Sequence, residues 1–265
     1  MKHLEDLSLY LRLENGPTSN LNDYFDNEIP IHLSMLRTFA FHITSEIEDE
    51  PCLDDDEPNE YTTSMEMLTN VKHCNQVAHV VDECIDRIKI HRFFSIPFKF
   101  NLLQDLSQPM PGLIFHSVTD LHLNTIRIYD RKFFVEINRN FPFVENLTIR
   151  NDSYLGRVLT KIDEEWLPIM EYSRLRSLDI YFTCSYCADA FLNERKTSLP
   201  RLTQLKISYG DLQTVTNNFT RAVIKRNCSQ IKLLYFDKFN RFSNEIYDYL
   251  PSILKIVILQ YYSNK

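Results

Sequence analysis

Four sets of residues in this 265-residue chain have types and spacings that chemistry uses. Cys184-Ser-Tyr-Cys187 has the C-x-x-C spacing shared by zinc half-sites and redox dithiols. No second pair completes a four-ligand zinc set, so free thiols in a reducing compartment are the competing account. That account also covers Cys52, Cys74, Cys84 and Cys228. Asp120, His122 and Asn146 would form an acid–base set if adjacent strands placed them side by side; they equally suit an ordinary wet strand face. His73, Cys74 and His79 are close in sequence but have no carboxylate or thiol partner at ligand spacing. Nine carboxylates fall between Glu46 and Glu60 with no basic residue among them. They lack the glycine-hinged register of a calcium loop. Like charges at that density repel, so the expectation at 45–60 is a flexible, solvated acidic loop bracketed by Pro51 and Pro58.

What is missing narrows the function further. Serine-hydrolase elbows, zincin helices, P-loops and dinucleotide fingerprints are all absent. Only four glycines are available to bring backbone close to a phosphate. The expectation is a non-enzymatic chain with no cofactor and no bound metal; an enzyme or metal site using Cys184/Cys187 or Asp120/His122 is the minor alternative. The net charge of −7 is concentrated in the acidic segment, and no basic patch suggests nucleic acid. Apolar residues at 44% and charged residues at 25% are ordinary for a globular protein. No apolar run approaches the ~18 residues of a membrane span, and Met1 opens into a strand-like pattern rather than a signal peptide. Cytoplasm or nucleus is the expected location, and the four Asn-x-Ser/Thr sequons carry little weight without a secretory signal.

The elements that would position these residues follow one short repeated grammar. Leu199-Pro-Arg-Leu202 is followed by Leu205 and Ile207. The same form, apolar, Pro or Ser, any, apolar, then two apolar residues two apart, recurs at Phe141-Pro-Phe-Val144 with Leu147 and Ile149. It recurs again at Leu250-Pro-Ser-Ile253 with Ile256 and Ile258. Serine versions occur at Leu33-Ser-Met-Leu36, Tyr172-Ser-Arg-Leu175 and Cys228-Ser-Gln-Ile231. The final pair has the side-chain period of a strand, and proline belongs at a strand entrance, where no N–H is needed. The spacing of Val118, Val144, Leu175, Leu202, Ile231 and Ile253 averages about 27 residues, near the leucine-rich-repeat range.

The predicted fold is therefore α/β: one leucine-rich-repeat-like solenoid over residues 1–265, with parallel strands on the concave face and helices on the convex face. An irregular repeat is expected at about 61–113, with helical turns near 20–30, 62–70 and 100–106. Helices are expected at about 130–140, 185–196, 211–226 and 243–249. If the inner pairs are core, the alternate positions point outward in rows: Asp120, His122, Asn124; Asn146, Thr148, Arg150; Ser177, Asp179, Tyr181; Gln204, Lys206, Ser208; and Leu233, Tyr235, Asp237. Tyr and Arg are common interface anchors, so this concave face is the candidate site for a protein partner.

The Leu199–Ile207 form and its relatives, together with Phe93-Phe-Ser-Ile-Pro-Phe-Lys-Phe100 and Asn217-Asn-Phe-Thr-Arg-Ala-Val-Ile-Lys-Arg-Asn-Cys-Ser229, resemble the leucine-rich-repeat region of divergent invertebrate F-box proteins. The resemblance implies a substrate receptor, in which an F-box holds the adaptor of a cullin-based ubiquitin ligase and the repeats hold the target. F-box helices are not found before Met1, so an adaptor is expected as a partner only if an F-box is encoded upstream. The Asn or Cys that such repeats place after the strand is replaced by Asp152, Thr183, Gly210 and Phe239. Loop hydrogen bonding must then come from elsewhere.

Overall fold

A computed structural model describes residues 5–14, 37–48, 64–69, 76–83, 88–125, 131–151, 167–236 and 245–259. The chain divides into two compact units, Met1–Phe100 and Asn101–Lys265.

In the first unit, five strands form one sheet: β1 (Asp6–Glu14), β2 (Thr38–Glu48), β3 (Ser64–Thr69), β4 (Gln76–Glu83) and β5 (Ile88–Ile96). Their order is β1-β2-β5-β4-β3. β1 and β2 run parallel, as the repeat grammar predicts, but β2–β5, β5–β4 and β4–β3 are antiparallel. Only short connections separate β3, β4 and β5, and short connections suit antiparallel neighbours. Parallel repetition therefore fails over 64–96, and the helix expected at 62–70 is strand β3 instead. Alternation in β2 sends Phe39, Phe41 and Ile43 to one face, where they pack with Val77, Phe93 and the half-buried Leu7, Leu9 and Leu13. His42 points the other way, buried edge-on against Tyr10, Phe94 and Phe98. Of the acidic segment, Glu46 and Glu48 belong to β2, and Glu46 pairs with Arg12 across the parallel ladder. Residues 49–60 and the turn expected near 20–30 lie outside the described residues.

The second unit carries a seven-stranded parallel sheet. Its members are β6 (Leu102–Leu106), β7 (Asp120–Thr125), β8 (Asn146–Asn151), β10 (Ser177–Phe182), β12 (Gln204–Lys206), β13 (Leu233–Phe236) and β14 (Lys255–Ile258), paired in chain order. A two-residue pair, β9 (Met170–Glu171) with β11 (Thr197–Ser198), stands apart. Among the described residues five helices lie between strands: α1 (Arg131–Asn140), α2 (Ser185–Leu192), α3 (Tyr209–Val215), α4 (Ala222–Cys228) and α5 (Glu245–Tyr249). Parallel neighbours need crossovers. The crossover helices send Phe134, Ile137, Phe191, Leu212, Ile224 and Ile246 into the core, which also receives the inner pairs of the strands from Leu121/Leu123 to Leu234/Phe236. A mixed α/β class with a long parallel sheet is thus established for this unit.

The repeated grammar has a direct physical form: it is a β-turn feeding a strand. The N–H of the second apolar residue donates to the carbonyl of the first in Phe115–Val118, Tyr172–Leu175, Leu199–Leu202, Cys228–Ile231 and Leu250–Ile253, at 3.2–3.4 Å. Pro and Ser are favoured inside such turns, and the fixed φ of Pro suits the second position. Both apolar ends are buried in nearly every copy. Just after each turn, two consecutive N–H groups donate to one carbonyl of the preceding copy. Arg176 and Ser177 share Glu145 O, Thr203 and Gln204 share Arg176 O, and Lys232 and Leu233 share Thr203 O. Turn and ladder are thus locked together once per repeat.

Two local expectations are corrected. A helical turn is expected at 100–106, but Leu102–Leu106 form β6. Asp105 adopts a left-handed φ of 54°, and the resulting irregularity puts both Leu103 and Leu106 in the core although they are three apart. The single helix expected at 211–226 is two, α3 and α4. Asn217, Asn218 and Phe219 break it with φ of 49°, 53° and 63°. Asn tolerates this region. The Thr216 hydroxyl secures the break by accepting the Phe219 N–H at 3.0 Å and donating to Leu212 O at 2.7 Å. Phe219 gains burial between Tyr209 and Tyr249 in exchange.

Candidate binding face

Strand pairing fixes which outward residues are neighbours. One row runs Asp120, Asn146, Ser177, Gln204, Leu233, Lys255, and the next runs His122, Thr148, Asp179, Lys206, Tyr235, Val257. From β7 to β13 these partners face away from the buried pairs, as alternation requires, whereas in β14 the expected inner pair is not buried: Ile256 is partly buried and Ile258 is 47% exposed. The inner residues Leu121, Leu147, Leu178, Leu205 and Leu234 are at most 1% exposed, so the predicted register of β7–β13 holds.

Within the rows, polar side chains meet across strands. Asn146 Nδ2 donates to Asp120 Oδ1 at 2.7 Å, and the Thr119 hydroxyl donates to Asp120 Oδ2 at 2.7 Å. Both carboxylate oxygens of Asp120 are thereby engaged, and the geometry brings Asp120 to Asn146 rather than to His122. In the second row Lys206 Nζ donates to Asp179 Oδ2 at 2.7 Å, while Asp179 Oδ1 accepts the Tyr181 N–H at 3.1 Å. Lys206 Nζ also stands 5.8 Å from the centre of the Tyr181 ring. Cross-strand pairs of opposite charge stabilise a sheet modestly, and here they also fix the positions of the exposed groups.

The third row departs from simple alternation. The ladder between β8 and β10 slips after Asp179, so Phe182 rather than Tyr181 stands opposite Arg150. Phe182 is 37% exposed, with the Arg150 guanidinium 5.9 Å from its ring centre and Tyr181 edge-on at 4.8 Å. Phe182 thus joins the face, a residue that period-two counting assigns to the core. Asn124 stands opposite Arg150 as expected. Ser208 is corrected: β12 ends at Lys206, and Ser208 caps α3, its hydroxyl accepting the Asp211 N–H at 3.1 Å. Asp237 lies outside the described residues, as do His73 and Cys74. His79 in the first unit contacts His91, with Nε2 and Nδ1 3.0 Å apart, and stacks on Phe93.

The C-x-x-C pair sits at the start of α2. Cys184 is exposed at the N-cap and Cys187 is buried one turn in. The Cys187 thiol hydrogen-bonds the Cys184 sulfur and draws the Cys184 thiol down to about 6, against partial burial and the nearby Asp211 carboxylate. Cys187 is pushed well up by the same hydrogen bond and by burial. Among the described residues no three His, Cys, Asp or Glu side chains cluster as a metal site, and no helix is long and apolar enough to cross a membrane.

Two functional side chains of a structural kind escaped the sequence reading. Asn140 and Asn227 each immediately precede the apolar-Pro/Ser turn, and each is buried. Asn140 Nδ2 donates to Met110 O at 2.8 Å and Leu113 O at 2.7 Å, and its Oδ1 accepts the Met110 N–H at 3.0 Å. Asn227 Nδ2 reaches Thr197 O at 2.7 Å, and its Oδ1 accepts the Leu199 N–H at 3.1 Å. These bonds tie each turn to backbone groups about 30 residues earlier in the chain. The detectable signal was Asn before the turn at both Asn140-Phe-Pro and Asn227-Cys-Ser.

Compared with known proteins, the chain matches no family model, no curated protein and no solved structure.

Proposed function

We propose that the second unit is a leucine-rich-repeat-like solenoid whose outward strand face binds a protein partner, as the target-recognition part of an F-box-type ubiquitin-ligase receptor. The observation that carries the reading is the pair of ordered rows around Arg150, Asp179, Tyr181, Phe182, Lys206 and Tyr235. Aromatic rings and paired charges are held there on rigid strands rather than on loops. Fixed aromatic and Arg groups cost little entropy to bury and act as anchors. An extended parallel sheet offers such anchors in register over several repeats. The sequence grammar and its resemblance to F-box proteins support the ligase role, and a stand-alone interaction scaffold is the same reading without the ligase.

The test uses the full native protein with Tyr181→Ala combined with Lys206→Glu, against Lys225→Glu on the exposed side of α4 as the control. Proximity labelling and co-purification are compared between variants of equal thermal stability. Loss of one protein partner in the first variant alone supports the face. Equal capture by the strand-face variant, with loss in the α4 variant, overturns it. Co-purification of a cullin adaptor with the native protein decides the ligase role separately.

A further inference from the structure

We propose that Cys184 and Cys187 form a redox-active dithiol, in which Cys184 is the attacking sulfur and Cys187 the resolving one, acting on small exposed disulfides such as glutathione disulfide. This site is independent of the strand-face reading.

Four observations converge on it. The two cysteines flank one helical turn, closed by the Ala188 N–H donating to Cys184 O at 3.2 Å. Side chains three apart around such a turn are neighbours, which is the placement that a disulfide needs. Their environments differ in the way exchange chemistry needs: Cys184 is exposed and Cys187 is buried. A disulfide in solution can therefore reach only the first sulfur. The Cys187 thiol hydrogen-bonds the Cys184 sulfur and stabilises its thiolate, and the thiolate is the nucleophile. The positive end of α2 acts in the same direction, while Asp211 in the first turn of α3 is the charged group opposing it. Zinc is less well served, since among the described residues no third ligand joins the pair.

The exchange balances without any further reactant. The Cys184 thiolate attacks one sulfur of R–S–S–R. A Cys184–S–R bond forms, and the other RS leaves with the electron pair of the broken bond and takes a proton from water. Cys187 then loses its proton to solvent and attacks the Cys184 sulfur. The Cys184–Cys187 disulfide forms and the second RS leaves, again to be protonated. The dithiol has given up two electrons and two protons, and the small disulfide has become two thiols. Cys228 takes no part, because burial pushes its thiol up to about 12 and closes it to attack.

The test equilibrates the intact chain in reduced/oxidised glutathione mixtures, traps free thiols with iodoacetamide, and reads the peptide holding both cysteines by mass. The expected result is an internal disulfide, two hydrogens lighter, appearing in one two-electron transition. Iodoacetamide labelling of Cys184 should titrate near the value that the Cys187 hydrogen bond sets. Cys187→Ala should raise that midpoint by about one pH unit or more and leave a Cys184–glutathione adduct in place of the internal disulfide. If Cys187→Ala does not fold, the wild-type titration still decides. A peptide that stays a dithiol in glutathione disulfide alone, or Cys184 labelling no faster at neutral pH than that of a free cysteine, overturns the proposal.

Discussion

Asn227 offers the sharpest test of how successive repeats are tied. It stands in the last turn of α4, 5% exposed, yet all its side-chain partners lie one repeat earlier. Oδ1 accepts the Leu199 N–H at 3.1 Å, while Nδ2 serves Thr197 O at 2.7 Å, Leu192 O at 3.2 Å and Phe191 O at 3.3 Å. An amide has only two N–H groups, so the two longer contacts share what the Thr197 bond leaves. Asn227→Ala therefore orphans two well-bonded groups, the Leu199 N–H and the Thr197 carbonyl. At about 1–3 kcal/mol for each buried group left unsatisfied, the loss should be roughly 2–6 kcal/mol. Asn227→Asp keeps the bond to Leu199 but turns lone pairs toward three carbonyls. It should cost at least as much at neutral pH and recover partly in acid, where the carboxyl regains a donor. Urea unfolding measures the loss, and hydrogen exchange at the Leu199 amide locates it. If both variants stay within about 0.5 kcal/mol of the parent and Leu199 remains protected, the side chain is not a tie and the account of the repeat junction is wrong.

Leu205→Ala should cost on the order of 2–5 kcal/mol because the side chain is wholly buried between Leu178 and Leu234; Lys206→Ala, on the outer face, should cost no more than about 1 kcal/mol of ion pairing. Equal losses in urea unfolding would place the register one residue off. Tyr172 fills a turn slot that Phe115 and Phe141 fill elsewhere, and its buried hydroxyl has no hydrogen-bond partner among the described residues, so Tyr172→Phe should leave stability unchanged or raise it by up to ~1 kcal/mol in thermal unfolding. Burial, aided by the Arg92 charge, holds His42 at about 3 in the folded chain against 6.5 unfolded. The unfolded chain takes the proton first, so stability should be full above pH 6.5 and fall at up to about 1.4 kcal/mol per pH unit on the way down to 3. His42→Phe should flatten that slope in the hydrogen exchange of β2 amides; an unchanged slope would assign the acid sensitivity to other groups.

The strand register of the second unit was legible because each inner pair is apolar and each neighbour polar, as in Leu205 and Ile207 around Lys206. The entrance to each strand was legible as Pro or Ser between apolar residues, since proline has no N–H to give a ladder; that the entrance is a β-turn was not. Less was readable where the determinant is distant or irregular. Residues 102–106 look helical by apolar spacing because a left-handed Asp105 shifts Leu106 onto the face of Leu103. The break in 211–226 depends on Thr216 closing on Phe219, a contact that helical periodicity through Leu212, Val215 and Phe219 conceals. Phe182 reads as an inner residue until the β8–β10 slip turns it outward. In the first unit, the alternation of β4 and β5 identified strands correctly but carried no information on direction. Their antiparallel pairing follows from the short connections around them.

The placement of structural hydrogen bonds bears on what the outer face is available to do. On the helix side of the second unit, carbonyls that the short crossovers leave unpaired are collected by a few buried side chains. Asn140 and Asn227 do this at two junctions, and buried Arg131 does it at a third, its Nη2 donating to Leu167 O and Pro168 O at 3.0 Å each. Repeats joined in this way do not need the strand-face residues to hold them together. The outer rows contribute cross-strand pairs such as Lys206–Asp179, whose side chains are 24% and 21% exposed, and Asn146–Asp120, each worth at most about 1 kcal/mol. Sequence on that face can therefore vary at little cost to folding, whereas the asparagines and Arg131 cannot. A surface that is rigidly spaced yet cheap to alter suits recognition of a particular partner, and this division of labour is the structural argument for placing the proposed interface on the strand face rather than on the helix side.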